Sequence, residues 1–286
     1  MADSIVYLNG EYLPRDEARV SVLDRGFLFG DGVYEVIPVF GGKLMRIDEH
    51  LERLQRSLDR VSLQSPLSSD DLKSVFEQLL QQNPGNDRSV YLQITRGVLP
   101  VRDLSLGATP TPTIFAMVNE IKPVDPVRLE QGIDAITIAD FRWKACDIKS
   151  ISLIANVMLR LQANQQNVTD AIMVRDGVVT EGTASNIFIV RDGVLVTPPK
   201  SDCLLPGITR DLVIELARKH DIEVQERDIN EDELMQADEV WLTSSTREIA
   251  PVVSINKLTV GEGIAGPVWR KVLAIYQDYK QELRHA

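Results

Sequence analysis

Lys149 lies in the segment CDIKS, residues 146–150, between a strand-like run and a helix predicted to begin near Ser152. A lysine in such a place is most often a solvated surface residue. It could instead act as a nucleophile, because a dry pocket that also holds a cationic group favours loss of the proton from an amine. The segment alone does not choose between these interpretations, so the choice depends on its neighbours along the chain.

Glu181 is the one charged residue of the segment VTEGTASNIF, residues 179–188. The pattern predicts a strand, a polar turn and a second strand, with Glu181 at the edge of the turn. The simpler interpretation is an exposed acid in a hairpin. The functional interpretation is a carboxylate that lies in a pocket and pairs with a cationic ring nitrogen.

Two further segments have compositions that suit a bound phosphate. LLPGITRD, residues 204–211, opens a helix whose free N–H groups and positive dipole end could hold an anion, with Thr209 adding a hydroxyl. TSSTREI, residues 243–249, places several hydroxyls directly after a buried strand. Each also has an ordinary explanation, a normal helix start in the first case and a polar turn in the second.

In this order, DIKS, TEGTASNIF, LPGITRD and TSSTREI resemble segments of the class IV (fold-type IV) pyridoxal-phosphate-dependent aminotransferases, and most closely of the bacterial D-amino-acid transaminases. The amino-terminal half carries the resemblance as well, in DRGFLFGDGVYE (residues 24–35) and EHLERL (residues 49–54). The resemblance covers nearly the whole chain with similar spacing. Motifs that keep a common order are far more specific than any one of them alone.

The resemblance implies roles residue by residue. Lys149 is the Schiff-base lysine of a pyridoxal 5′-phosphate enzyme and its proton shuttle, and Glu181 pairs with the pyridinium nitrogen. Tyr34 and Arg102 are the implied substrate-binding residues. The implied cofactor-binding residues besides Glu181 are Arg53 for the phosphate, Leu205 against the ring, the Ile208 and Thr209 backbone, and Ser244 and Ser245.

The chain departs from this pattern at the site for the substrate carboxylate. The D-amino-acid transaminases carry an Arg-x-His pair just after a TRG motif, contributed across the dimer. In TRGVLPVRDL, residues 95–104, Arg102 takes the arginine position, but Leu104 stands in place of the histidine and the loop is one residue longer. Arg102 is therefore the first candidate for the carboxylate, and Arg96 and Arg142 are the next.

Hydrophobic periodicity and the resemblance together predict a mixed α+β chain of two domains. We expect a small amino-terminal α/β domain at residues 1–119, a linker at 120–129 and a larger β-barrel-like domain with helices at 130–286, with the active site in the cleft between the domains. Predicted helices begin at Asp48, at Ser68 or Ser69, near Ser152 and after Gly207. Predicted strands include 89–95, 133–139 and 239–243.

Composition limits the partners. The 42 acidic and 31 basic residues give a net charge of -11, which argues against a nucleic acid or an anionic membrane as the main partner. No stretch approaches the roughly 20 apolar residues needed to cross a bilayer, and no signal-peptide, zinc-hydrolase, redox-dithiol or serine-hydrolase motif is visible. We expect a cytoplasmic enzyme without a metal that acts on small amino acids and 2-oxo acids. The resemblance adds a homodimer.

Three enzymatic functions remain open at this point. The first is transfer of the amino group of a D-amino acid such as D-alanine to a 2-oxo acid such as 2-oxoglutarate. The second is a transaminase of the same fold that acts on branched-chain L-amino acids or on amines. The third is a lyase of the aminodeoxychorismate type. A non-enzymatic interaction module is disfavoured, because the chain retains the lysine, the glutamate and both phosphate segments.

Overall fold

The computed structural model describes residues 4–105, 110–122 and 125–285, and the chain divides into two compact units. Unit 1 comprises Met1–Lys122, Ile148–Ser152 and Leu283–Ala286, and unit 2 comprises Pro123–Asp147 and Leu153–Glu282. The segment that carries Lys149 thus belongs to unit 1, although it lies far along the chain. The boundaries 1–119, 120–129 and 130–286 stay a prediction, and residues 123–124 of the expected linker lie outside the described residues.

Unit 1 has one six-stranded sheet in its described part, with the strand order β2-β1-β6-β5-β3-β4. Helices α2 and α3 contact its strands β3, β1 and β6. The elements of this unit are β1 (Ile5–Leu8), β2 (Glu11–Pro14), α1 (Arg25–Phe29), β3 (Gly32–Phe40), β4 (Lys43–Leu44), α2 (Ile47–Arg60), α3 (Ser69–Gln82), β5 (Arg88–Thr95) and β6 (Thr113–Glu120).

Alternation along the strands gives the sheet of unit 1 two different faces. Val33, Ile37 and Leu92 are fully buried on the face that also carries the Glu35 side chain. The opposite face is only half covered, and it carries Tyr34 and Tyr91. The period of two in the sequence therefore places Tyr34 on the more open face and its neighbour Glu35 in the core.

Helix α3 shows how local sequence sets an element boundary. Ser68 accepts the backbone N–H of Asp71, and the Asp71 carboxylate accepts the N–H of Ser68, which forms a capping box. Leu72, Phe76 and Leu79 follow at helical spacing and are buried. This confirms the predicted helix that begins at Ser68 or Ser69 and ends at Gln82.

Unit 2 contains a sheet of nine strands in its described part, with the strand order β12-β11-β10-β13-β14-β7-β8-β9 and β15 paired with β14. Its elements are α4 (Pro126–Gln131), β7 (Ile133–Ala139), α5 (Ile154–Gln165), β8 (Asp170–Arg175), β9 (Val178–Gly182), β10 (Asn186–Arg191), β11 (Val194–Thr197), α6 (Ile208–Lys219), β12 (Val224–Glu226), α7 (Glu231–Met235), β13 (Glu239–Ser244), β14 (Glu248–Ile255), β15 (Leu258–Thr259) and α8 (Pro267–His285), whose last residues fall in unit 1.

The sheet of unit 2 curls back on itself. Strand β9, at one end of the strand order, returns to β10 through the Gly182–Ser185 bridge, in which the Gly182 N–H donates to the Ser185 carbonyl at 2.7 Å. The side chains of Ile187, Ile189 and Leu242 are buried in the core that this curling encloses. The expected barrel-like, mixed α+β architecture is confirmed. No helix among the described residues is long and apolar enough to cross a membrane.

Candidate active site

The Lys149 segment lengthens the edge of β3. Ser150 forms an antiparallel bridge with Val33, and the Tyr34 N–H donates to the Lys149 carbonyl at 2.9 Å. The Lys149 N–H donates to the Ser57 hydroxyl of α2 at 3.1 Å. A strand edge and a helix therefore fix the backbone of Lys149, and only its side chain is left to move.

Lys149 and Tyr34 come together in unit 1. The Lys149 Nζ lies 4.0 Å from the centroid of the Tyr34 ring, within the range of a cation–π interaction. The Tyr34 ring in turn lies 5.7 Å from the Tyr91 ring. The Tyr91 hydroxyl donates to Gln93 Oε1 at 2.7 Å, and burial raises the pKa of Tyr91 to about 12, so that this hydroxyl stays protonated.

Arg53 forms a buried triad with Glu35 and His50. Its Nε and Nη2 donate to the two Glu35 carboxylate oxygens at 2.8 and 2.7 Å, and His50 Nδ1 lies 2.8 Å from Glu35 Oε2. Burial opposes ionisation of Glu35, but the charge and hydrogen bonds of Arg53 hold the pKa of that carboxyl well below its usual range. Burial lowers the pKa of His50. The bidentate pairing fixes the plane of the Arg53 guanidinium.

Arg102 occupies an exposed loop of unit 1. Its Cζ lies 5.0 Å from the centroid of the Phe29 ring in α1, and Leu104, two residues further on, is 75% exposed. Arg96, the second candidate for the carboxylate, donates to Asp31 and to the carbonyls of Val61 and Ser62. Arg96 is therefore committed to structure, whereas the Arg102 side chain faces outward.

Glu181 is the centre of a second group, in unit 2. Its Oε1 accepts from Arg142 Nη1 at 2.5 Å, and its Oε2 accepts from the Leu205 N–H at 3.1 Å. The Asn186 amide lies 3.4 Å from the same oxygen and also donates to the Leu205 carbonyl at 2.8 Å. Burial raises the pKa of the Glu181 carboxyl, and the Arg142 charge offsets that effect in part.

Arg142 is held on its other side by Asp140. Its Nε and Nη2 each donate to one oxygen of that carboxylate at 2.9 Å, and the pair with Asp140 raises the pKa of Arg142 against the effect of burial. Because both edges of the guanidinium are engaged, Arg142 anchors Glu181. This use leaves it a poor candidate for the substrate carboxylate.

Helix α6 begins without a side-chain cap. Its N-cap is Gly207, which has no side chain with which to cap the helix. A Cβ at this position would overlap Asn186 Oδ1, so no residue with a side chain fits there. Ile208 and Thr209 are buried in the first turn, and the Thr209 hydroxyl has no hydrogen-bond partner among the residues that the structure describes. Free N–H groups and an unsatisfied hydroxyl give this turn the properties of an anion site.

Ser244 is the last residue of β13, and Ser245 follows it directly. Thr243 pairs with Asn186 of β10, which sets the end of this strand beside the Glu181 group. The Arg247 N–H donates to the Ser244 hydroxyl at 3.4 Å, and Arg247 Nη1 donates to the buried Asp170 at 2.5 Å. The polar turn predicted after a buried strand is present, and Asp170 fixes it.

The predicted residues thus fall into local groups. In unit 1, Lys149 and Tyr34 are in contact, Arg53 is one turn from Ser57 on α2, and Arg102 stands apart on its loop. In unit 2, Glu181, Leu205 and the start of α6 are joined through Asn186. Sequence reasoning missed Glu35, His50, Tyr91 and Asn186, and it named Arg142 for the substrate carboxylate rather than as the partner of Glu181. Glu35 and His50 stood inside the quoted motifs, and a charged residue in a strand of apolar residues was the signal for Glu35.

Comparison with known proteins supports one family. The Amino-transferase class IV family model matches residues 32–255. The chain is 40% identical to a D-alanine aminotransferase of Bacillus licheniformis over 273 residues, which is 96% of each chain. It is 38% identical to a D-alanine aminotransferase of Listeria monocytogenes over 282 residues, 98% of this chain and 96% of the relative.

Solved structures agree in fold. A T.th. branched-chain amino acid aminotransferase with pyridoxamine 5′-phosphate superposes with a TM-score of 0.91 at 25% identity, over 98% of this chain and 95% of that one. A branched-chain amino acid aminotransferase of Escherichia coli gives a TM-score of 0.85 at 27% identity, over 96% and 93%. With the family model matching residues 32–255 and two relatives near 40% identity, the chain belongs to the class IV aminotransferases.

Proposed function

We propose that this aminotransferase moves the amino group of a D-amino acid, such as D-alanine, to a 2-oxo acid, such as 2-oxoglutarate, in the cytoplasm. The observation that carries the proposal is the 40% identity to a D-alanine aminotransferase over 96% of the chain. The motifs around Asp24 and Lys149 support the same activity, because they resemble those of D-amino-acid transaminases.

As a class IV aminotransferase the chain uses pyridoxal 5′-phosphate, and its residues fit that cofactor. The orphaned Thr209 hydroxyl and the uncapped start of α6 suit a phosphate. The buried Glu181 carboxylate suits a cationic ring nitrogen. When bound, the cofactor supplies the electron sink that stabilises negative charge at the substrate Cα.

Lys149 supplies the amine in this proposal. Its Nζ would hold the cofactor, and when substrate is bound the same Nζ would move the proton at the substrate Cα, first as a base and then as an acid. Its backbone is fixed by β3 and by Ser57, so the reach of Nζ is set by side-chain rotation alone. The contact with the Tyr34 ring restricts that rotation.

The remaining cofactor residues hold the ring and the phosphate. Glu181 keeps the ring nitrogen protonated, and Arg142 keeps the Glu181 side chain in place. Leu205 packs against the ring. Arg53 binds the phosphate with a guanidinium whose orientation Glu35 sets. The backbone of Ile208 and Thr209 in the first turn of α6 would also hold the phosphate, as would the hydroxyls of Ser244 and Ser245.

Tyr34 and Arg102 bind the substrate, and we expect Arg102 to serve the second subunit of a homodimer. A long apolar stripe on α5 supports dimer formation: Ile154, Val157, Met158 and Leu161 recur at helical spacing and are 47–72% exposed. Monomeric soluble proteins seldom leave a contiguous stripe of this kind uncovered. A second subunit on this face would bury it.

Branched-chain L-amino acids are the second candidate substrates, because the superposed structures are branched-chain aminotransferases. The test is an amino-donor assay with 2-oxoglutarate as acceptor and D-alanine, L-alanine or L-leucine as donor. We expect glutamate and pyruvate from D-alanine alone. Turnover of L-leucine with no turnover of D-alanine would overturn the proposal and favour the second candidate.

A further inference from the structure

Helix α1 is a single turn that hydrogen bonds attach to the end of the sheet in unit 1. Asp24 caps it by accepting the Gly26 N–H at 2.7 Å, and the other Asp24 oxygen accepts from the Thr113 hydroxyl of β6 at 2.6 Å. Gly30 ends the helix in the left-handed conformation, with φ of 66°, and its N–H donates back to the Gly26 carbonyl. Five residues are too few for a stable free helix, so these ties define its position.

Arg25, the first residue of α1, holds the loop that carries Arg102 at two points, one on each side of Arg102. Its backbone N–H donates to the Gly97 carbonyl at 2.9 Å. Its guanidinium donates through Nη1 to the Asp103 carbonyl at 2.5 Å and through Nη2 to the Leu104 carbonyl at 3.4 Å. Arg25 is only 5% exposed. The loop therefore closes around one buried arginine.

Asp31 orients the Arg25 guanidinium. Arg25 Nε and Arg96 Nε each lie 2.8 Å from Asp31 Oδ2. Burial opposes ionisation of Asp31, but the two arginines outweigh it and lower the pKa of its carboxyl. Since Arg96 also caps the carbonyls at the end of α2, the orientation of Arg25 is tied to the packed core of the unit.

Phe29 completes the arrangement. Its ring centroid lies 4.9 Å from Arg25 Cζ and 5.0 Å from Arg102 Cζ, so one aromatic ring contacts both guanidinium groups. Each of the three side-chain nitrogens of Arg25 donates to a protein oxygen, whereas the Arg102 side chain is exposed to solvent. The Arg25 side chain thus binds the main chain of the loop, and the Arg102 side chain is the one left exposed to bind a ligand.

We infer that Arg25 is a positioning residue for the substrate-carboxylate loop, defined here as residues 97–104: it sets the place of Arg102 by holding the carbonyls of Asp103 and Leu104. The inference rests on the proposed function, in which Arg102 binds the carboxylate. It is also compatible with Leu104 at the position where the resembling transaminases have a histidine. An anchor on main-chain carbonyls does not depend on the side chain at position 104.

The first test compares a substrate that has a carboxylate with one that lacks it. In Arg25→Lys the charge remains but the fork that spans two carbonyls is lost. We expect the KM for D-alanine to rise about tenfold or more, the scale of one lost hydrogen bond to a charged group. Amino transfer from ethylamine, which is D-alanine without its carboxylate, and the Kd of pyridoxal 5′-phosphate should not change.

Arg88→Lys is the matched control. Arg88 is also a buried arginine of unit 1, at 7% exposure, and its Nη1 also caps two main-chain carbonyls, those of Leu80 and Asn83. Loss of the Arg88 guanidinium should lower the stability of the fold without raising the KM for D-alanine selectively. Phe29→Leu is the second variant, should Arg25→Lys fail to fold. It removes the ring that Arg102 contacts, retains the hydrogen bonds of Arg25, and should again raise the KM for D-alanine alone.

A double-mutant cycle with Arg102→Ala separates the inference from the function on which it rests. If Arg25 acts through Arg102, adding Arg25→Lys to Arg102→Ala should raise the KM for D-alanine no further. An increase in KM for Arg102→Ala together with an unchanged KM for Arg25→Lys and Phe29→Leu would overturn the inference alone. An unchanged KM for Arg102→Ala would overturn the role of Arg102 in the proposed function. An equal loss of amino transfer from D-alanine and from ethylamine in Arg25→Lys would show that Arg25 supports the fold in general and does not position Arg102.

Discussion

At the residue scale, burial and the charge of Arg142 have opposite effects on the pKa of the Glu181 carboxyl. Burial raises its pKa, while Arg142 at 2.5 Å draws it toward the ionised form. In the proposed function, a cationic ring nitrogen would be a second partner for the ionised form of Glu181. Glu181 would then hold its charge between two cations.

Glu181→Gln tests this role. The amide keeps the shape but not the charge, so we expect kcat with D-alanine to fall by about 100-fold or more, on the scale of one lost electrostatic stabiliser. Glu239→Gln is the control, since Glu239 is an equally buried carboxylate of unit 2 that accepts from the Trp241 indole and the Trp269 N–H. Comparable losses in both variants would mean that kcat reports damage to the unit and not the charge at Glu181.

Glu35 predicts how stability depends on pH. Its folded pKa lies far below the unfolded value of about 4.3, so its stabilising effect is present above pH ~4.3 and is lost as the pH falls below it. Glu35→Gln should cost about 3–5 kcal/mol at pH 7, because Arg53 is left buried without its counter-charge. In urea unfolding, the difference between wild type and variant should shrink below pH ~4.3. A difference that stays constant down to pH 3 would contradict the assignment.

At the element scale, the first turn of α6 fits the phosphate that we propose it binds. The Thr209 hydroxyl is buried without a partner among the described residues, and no side chain caps the helix. Such groups cost stability unless something else satisfies them. Their presence in an otherwise well-packed helix supports the phosphate site that we propose there.

Thr209→Val should therefore separate stability from affinity. The protein without cofactor should unfold at the same or a higher temperature, since the variant removes an unsatisfied hydroxyl. The Kd of pyridoxal 5′-phosphate should rise about tenfold or more, while the affinity for pyridoxal, which has no phosphate, should not change. An equal loss of affinity for pyridoxal 5′-phosphate and for pyridoxal would show that the Thr209 hydroxyl does not contact the phosphate.

Elements with a local signal could be predicted from the sequence, and those set by distant contacts could not. The capping box at Ser68 and the apolar run 133–139 gave α3 and β7 their observed limits. Helix α1 was not predicted, because five residues are too few to show a helical period of apolar positions. Strand β14 was not predicted either, because Pro251 argues against a central strand. Pro251 is tolerated since pairing with β7 begins only at Val252.

The same division holds within the candidate site. The motifs identified the family, the fold class and the reaction, which the comparisons confirm. They did not identify the partners that orient the proposed residues, since Glu35 lies 18 residues from Arg53 and Arg142 lies 39 residues from Glu181. No periodicity links positions so far apart. Their pairing follows from strand register and helix packing.

At the scale of the whole molecule, the proposed homodimer makes a claim about which subunit uses Arg102. If Arg102 serves the partner, co-expressed Lys149→Ala and Arg102→Ala subunits should form a mixed dimer with one complete site. That dimer should recover up to about half of the wild-type activity although each variant alone is inactive or weak. A different affinity tag on each variant would isolate the mixed dimer, and light scattering would establish its size. No recovery in a confirmed mixed dimer would show that Arg102 acts within its own subunit.

The attachment of the cofactor at Lys149 is the claim on which every other role depends. Borohydride reduction of the holoenzyme, followed by proteolysis and mass spectrometry, locates the lysine that carries pyridoxal phosphate. We predict the modification on the peptide containing Lys149 and none on the exposed Lys144, with loss of the modification and of D-alanine turnover in Lys149→Ala. A reduced cofactor on another lysine, or a Lys149→Ala enzyme that still releases pyruvate from D-alanine at the wild-type rate, would contradict the account.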